Sequence, residues 1–96
     1  MEMRVAMGVD VLDRTIALGH APRGFRGRIV CLLPIEGAAR LDPEEMERRL
    51  IEMGFIEGVE LEVLHEGPFG RDPIAVRVGQ AVVALRRQDA MAVLAE

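Results

Sequence analysis

At 96 residues, half of them apolar but only three aromatic, all phenylalanine, the chain is long enough for one domain with a modest core of Val, Leu, Ile, Met and Ala. A single cysteine excludes an internal disulfide and points to a reducing compartment, and no apolar run approaches the roughly 18 residues of a membrane-spanning helix. The net charge of −4, with twelve arginines dispersed among acidic residues and no lysine, speaks against nucleic-acid binding, which draws its affinity from clustered positive charge.

Residues Met1 to Arg14 carry Glu2, Arg4 and Asp10 where a signal peptide needs an uninterrupted apolar stretch, so a soluble, cytoplasmic protein without membrane insertion is expected. Val5, Met7, Val9 and Val11 alternate like an added edge strand, while Val9, Leu12 and Ile16 also fit a helix. We treat residues 1–14 as an extension of unknown role, open to use in self-association, and residues 15–96 as the domain proper. His20, before Ala21-Pro22, reads as a linker residue. Arg28 to Ile35 is almost continuously apolar and predicts a strand buried on both sides or ending under a loop at Pro34. Cys31 within it reads as a small core residue rather than a reactive thiol. Gly37 to Arg40 is a small-residue connection.

Asp42-Pro43-Glu44-Glu45 then supplies an N-cap carboxylate, a proline at the first helical position and a glutamate where a capping box wants one. A helix from Pro43 to about Met53 follows, with Met46, Leu50 and Met53 as its apolar stripe and Gly54 able to close it in a left-handed conformation. Glu57-Gly58 fits a tight turn, after which Val59, Leu61 and Val63 alternate with glutamates along a strand to Glu66. Gly67 to Pro73 is dense in turn formers and joins that strand to another at Ile74 to Val78, as a hairpin with a long arm. Gly79-Gln80 turns the chain into a strand from Ala81 to Arg86, Arg87 to Met91 can form one helical turn, and Ala92 to Leu94 a last short strand. Arg48-Arg49 and Arg86-Arg87 sit among carboxylates and read as solvated faces. The expected core is Leu50, Leu61, Val63, Val76, Val83 and Leu85. About five short antiparallel strands with one α-helix after the first long strand make a mostly β domain, a small bent barrel.

The run from Arg48 to Val63 resembles the signature of the FeoA family, the small cytoplasmic partners of the ferrous iron transporter FeoB. The resemblance extends through Gly27-Arg28-Ile29-Val30, the helix end around Leu50-Ile51-Glu52-Met53-Gly54-Phe55, the strand opened by Gly58, the loop Gly70-Arg71-Asp72-Pro73-Ile74, and Ala84-Leu85-Arg86-Arg87-Gln88-Asp89-Ala90. It covers Ile16 to about Leu94. Arg71 is inserted between a glycine and an aspartate that the family usually keeps adjacent, Glu57 stands where proline is usual, and residues 1–14 have no counterpart in the family core. The resemblance implies an SH3-like barrel without enzymatic activity.

Catalytic groupings are scarce in the residues themselves. There is no serine, one threonine and one cysteine, and His20 and His65 are distant in sequence, so no nucleophile with its base is legible. Gly67-Pro68-Phe69-Gly70 lacks the Lys and Ser/Thr of a phosphate loop. His65, Glu66 and Asp72 flank the long loop and are the candidate metal ligands, but they lack the paired spacing of a dedicated site, so solvated loop residues are the simpler reading and any divalent metal would be weak or adventitious. No cofactor is required. Two functions remain open. One, which the resemblance implies, is an interaction module that docks on the cytoplasmic G-protein domain of a FeoB-type transporter, with Phe69, Gly70 and Arg71 as its candidate contacts, although Phe69 could equally fold back as a plug. The other is the regulatory SH3-like domain of an iron-dependent repressor, which would need a DNA-binding domain that residues 1–14 are too short to hold. Homo-oligomerisation is compatible with either.

Overall fold

The structure, a computed structural model, describes residues 15–33 and 42–96. The extension 1–14, the end of the first long strand at Pro34-Ile35 and the Gly37 to Arg40 connection lie outside the described residues. The elements run in the order β1 (Ile16–Ala17), a 3-10 turn (Leu18–His20), β2 (Arg26–Leu32), α1 (Pro43–Glu52), β3 (Glu60–Glu66), β4 (Ile74–Val78), β5 (Ala81–Leu85), α2 (Arg87–Ala90) and β6 (Val93–Ala95). They form one antiparallel sheet ordered β1-β6-β2-β3-β4-β5. The mostly β architecture and the helix after the first long strand agree with expectation, with the two-residue β1 as an additional strand.

β2 shows why the sheet bends. Its first half pairs with β3, Arg26 opposite Glu62 and Arg28 opposite Glu60, and its second half pairs with β6, with a register shift between Ile29 and Cys31. A strand that changes partner through a bulge twists strongly and curls the sheet over its own inner face. Of the two readings of this run, burial on both sides does not hold over Arg28 to Leu32, and an end under a loop at Pro34 lies outside the described residues. Ile29 alone is fully buried, while Val30, Cys31 and Leu32 are all half-buried, on the half of the strand that follows the register shift and pairs with β6. Cys31 is therefore not part of the buried core.

Helix α1 begins as its sequence dictates. Asp42 Oδ1 accepts the Glu45 amide at 2.9 Å and Pro43 occupies the first helical position. It ends in a Schellman motif: the Gly54 amide donates to the Ile51 carbonyl at 2.9 Å, the Phe55 amide donates to the Leu50 carbonyl at 3.0 Å, and Gly54 takes φ +106°. The chain is thereby turned so that Phe55, which was not among the expected core residues, becomes the largest fully buried side chain. Val59 follows a tight turn closed by its amide on the Ile56 carbonyl at 3.0 Å.

Leu50, Leu61, Val63, Val76 and Leu85 are buried as expected, and Val83 packs against them partly exposed. Leu18, Ala21, Ile29, Ile74, Ala90 and Val93 complete the interior. The 3-10 turn that buries Leu18 and leaves His20 exposed was not legible, since three residues carry no periodicity. β6 lies one residue later than expected because the Ala92 amide still donates to the Asp89 carbonyl, at 3.4 Å, and so prolongs the preceding turn.

Candidate functional site

The long hairpin arm between β3 and β4 is held by its own backbone. The Gly67 amide donates to the Pro73 carbonyl at 2.8 Å, and a side chain at Gly67 would press on the Asp72 carbonyl carbon at 2.6 Å, so only glycine admits this approach. Gly70 and Arg71 both adopt φ +67°, and the Asp72-Pro73 peptide is cis. The inserted Arg71 is thus accommodated in a left-handed conformation that non-glycine residues seldom take. Phe69 projects from this path with 82% of its surface exposed. It does not fold back as a plug. Gly70 and Arg71 beside it are also exposed, so the three proposed contact residues form one continuous tip.

The base of the arm is polar. The Glu66 carboxylate accepts Arg87 Nη2 at 2.8 Å, and Asp72 Oδ1 accepts the Arg87 amide at 2.8 Å. Of the three candidate metal ligands, then, Glu66 and Asp72 converge, but on Arg87. His65, its neighbour on the opposite face of β3, points to solvent and pairs in register with Ala75. Two carboxylate groups already serving a guanidinium and an amide do not fit a resident cation, and among the described residues no group of three His, Cys, Asp or Glu could hold a metal ion.

Arg87 corrects the reading of Arg86-Arg87 as a solvated pair. Arg86 is exposed, but the Arg87 side chain is only 18% exposed beside a 22% exposed Glu66. A sequence pattern could hardly have shown this, because most of its partners are main-chain carbonyls. Elsewhere the paired arginines do face solvent. Arg26 and Arg77 flank Glu62, Arg28 reaches Glu60 at 3.2 Å, and Arg48 pairs with Glu45. A groove of about 580 Å³ runs over this ladder, lined by Arg26, Arg28, Glu60, Glu62, Arg77 and Glu96. Its arginines are matched by carboxylates, which leaves little net field for an anionic ligand.

The sequence matches the FeoA domain family over residues 16–96. The chain belongs to the FeoA family. No curated protein matches it. Among solved structures it is similar to FeoA of Stenotrophomonas maltophilia in complex with zinc, described as a prokaryotic SH3 domain protein and a candidate ferrous iron transport activating factor, with 27% identity, a TM-score of 0.70, and coverage of 84% of this chain and 89% of that one. A FeoA-like protein from Clostridium acetobutylicum aligns at 24% identity and a TM-score of 0.70 over 85% of both chains. A manganese-dependent transcriptional repressor aligns at 23% identity and a TM-score of 0.67 over 85% of this chain but only 41% of the repressor, and shows the shared fold alone. The SH3-like barrel is therefore the fold of this FeoA chain, and family membership supports an accessory role in ferrous iron transport. Among the described residues no helix is long and apolar enough to cross a membrane.

Proposed function

We propose that this FeoA chain is a non-enzymatic, cytoplasmic accessory module of ferrous iron transport, its domain spanning residues 15–96, that docks on the G-protein domain of a FeoB-type transporter through the tip of the β3–β4 arm. The observation that carries this reading is Phe69: a large apolar side chain, 82% exposed, at the tip of a loop whose backbone is held in place. Isolated exposed apolar residues are common, but holding one out on a braced loop is how a binding anchor is presented. Gly70 and Arg71 would frame it, and a buried aromatic anchor can contribute 2 kcal/mol or more at an interface, about 30-fold in affinity. No resident metal is required, and iron enters as the transporter's cargo.

Titration calorimetry of the purified chain against the transporter's soluble G-protein domain, with and without guanine nucleotide, tests the proposal. Wild-type association weakened at least ~30-fold by Phe69→Ala is expected. Undiminished binding by that variant would remove the arm as the docking surface, and no binding in any nucleotide state would remove the partner. The second reading, a regulatory domain in an iron-dependent repressor system, is supported by the shared barrel of the manganese-dependent repressor. The family match over residues 16–96 supports the transport reading, whereas the repressor, at 23% identity, shares the fold alone.

A further inference from the structure

Arg87 stands where four segments meet. Its Nε donates to the Arg71 carbonyl at 2.8 Å, its Nη1 to the carbonyls of Gly19 at 3.2 Å and Ala21 at 2.7 Å, and its Nη2 to the Glu66 carboxylate at 2.8 Å. Its own amide donates to Asp72 Oδ1 at 2.8 Å. All three guanidinium nitrogens are engaged at once, in a geometry that only a planar fork of donors can satisfy. Three of the acceptors are main-chain carbonyls, so the side chain reads backbone position rather than balancing charge.

These acceptors fall into two sets. Glu66, Arg71 and Asp72 bracket the arm, whereas Gly19 and Ala21 belong to the segment after β1, which is anchored by the buried Leu18 and Ala21. Arg87 therefore ties the root of the arm to a part of the core far away in sequence. Arg71 sits between these ties at φ +67°, and a non-glycine residue stays in that conformation where its surroundings over-determine it. Here its carbonyl is taken by Arg87 Nε and the next residue by the Arg87 amide. Between these ties and the Gly67–Pro73 hydrogen bond lies the short stretch Pro68 to Gly70, with Phe69 on it.

We infer that Arg87 is the positioning residue of the docking surface: by locking the root of the arm it presents Phe69 from a pre-ordered platform, so that association does not carry the cost of ordering the loop. This rests on the docking reading above. Lysine at this position could keep the ion pair with Glu66, but its single ammonium could not also reach the carbonyls of Arg71, Gly19 and Ala21.

The test uses the full chain with Arg87→Lys, and Arg86→Lys as a control at the exposed neighbour. Amide hydrogen exchange should show the protection of the Gly67 and Arg87 amides falling about tenfold or more in Arg87→Lys, while the amides of Leu61, Val63 and Val76 stay within roughly threefold of wild type. Calorimetry with the transporter's G-protein domain should show an affinity about tenfold lower for Arg87→Lys and unchanged for Arg86→Lys. Loop protection that does not change, or that falls in step with the core, would overturn the positioning role. So would wild-type affinity in a variant whose loop has loosened, provided Phe69→Ala weakens binding. If Phe69→Ala also bound like wild type, the docking reading itself would be overturned, while the exchange data would still report on the clamp.

Discussion

Gly54→Ala isolates the cost of one backbone conformation. An alanine Cβ at this position would meet only Val78 Cγ1, at 3.7 Å, which is ordinary van der Waals contact, so steric overlap with neighbours contributes nothing. The cost comes from φ +106°, which lies well beyond the left-handed well near +57° that an L-residue can reach. Forcing a Cβ there costs about 1–2 kcal/mol, partly offset by the smaller conformational freedom of alanine in the unfolded chain. The alternative of relaxing φ would break the Gly54 and Phe55 amide bonds to Ile51 and Leu50 and pull Phe55 from the core, at a higher cost. A net loss of about 1 kcal/mol or more should lower the melting temperature by roughly 4–8 °C in a domain of this size. Urea unfolding followed by far-UV circular dichroism measures it, with an unchanged slope showing that the surface exposed on unfolding is the same. An unchanged midpoint would refute the claim that Gly54 closes α1 by its positive φ.

Further substitutions separate the other forces in the fold. Leu61→Ala should cost roughly 2–5 kcal/mol by denaturation, because Leu61 and Val63 face the core in register with Val78 and Val76; a small effect would mean that β3 is one residue out of register. Gly19→Ala should prevent folding or lower stability by several kcal/mol, since its Cβ would run into the Arg87 carbonyl and stand 2.6 Å from Met91 Sδ; soluble protein with a near-native melting temperature would contradict this. Glu62→Gln, between Arg26 and Arg77 on the open face of the sheet, should change stability by under about 1 kcal/mol and by less in high salt, as a double-mutant cycle with Arg77→Gln would show.

The parts of the fold that could be read from sequence are those where a local signal and the tertiary structure agree. Asp42, Pro43 and Gly54 each satisfy a backbone requirement within a few residues of themselves, so the two ends of α1 lay where expected. β3, β4 and β5 alternate over residues whose inner face is Leu61, Val63, Val76 and Leu85, and turn signals bound them. β2 was legible as a strand but its burial was not, for a physical reason: an apolar run can look buried on both faces, whereas this strand changes partner halfway and leaves most of its second half only partly covered. Phe55 was missed because its burial depends on the direction in which the Schellman motif sends the chain, which composition does not show.

The candidate site divides in the same way. That the arm would project was legible in Gly67, Pro68, Gly70 and Pro73, whereas whether Phe69 faced outward was not, since a single aromatic in a loop carries no period. Arg87 was read as part of a charge pair when its chief partners are carbonyls, groups that every residue has and that leave no mark on a sequence. The same fact bears on how such a module can work. On the docking reading the one large apolar side chain of the arm is Phe69, 82% exposed, so recognition at the tip rests on shape. Shape selects only if it is held. In this chain the exposed aromatic is carried on a path that includes one left-handed arginine, and that path is tied from outside the arm by a guanidinium bonded to the Arg71 carbonyl within it, to the Glu66 carboxylate at its root and to the Gly19 and Ala21 carbonyls of a distant segment.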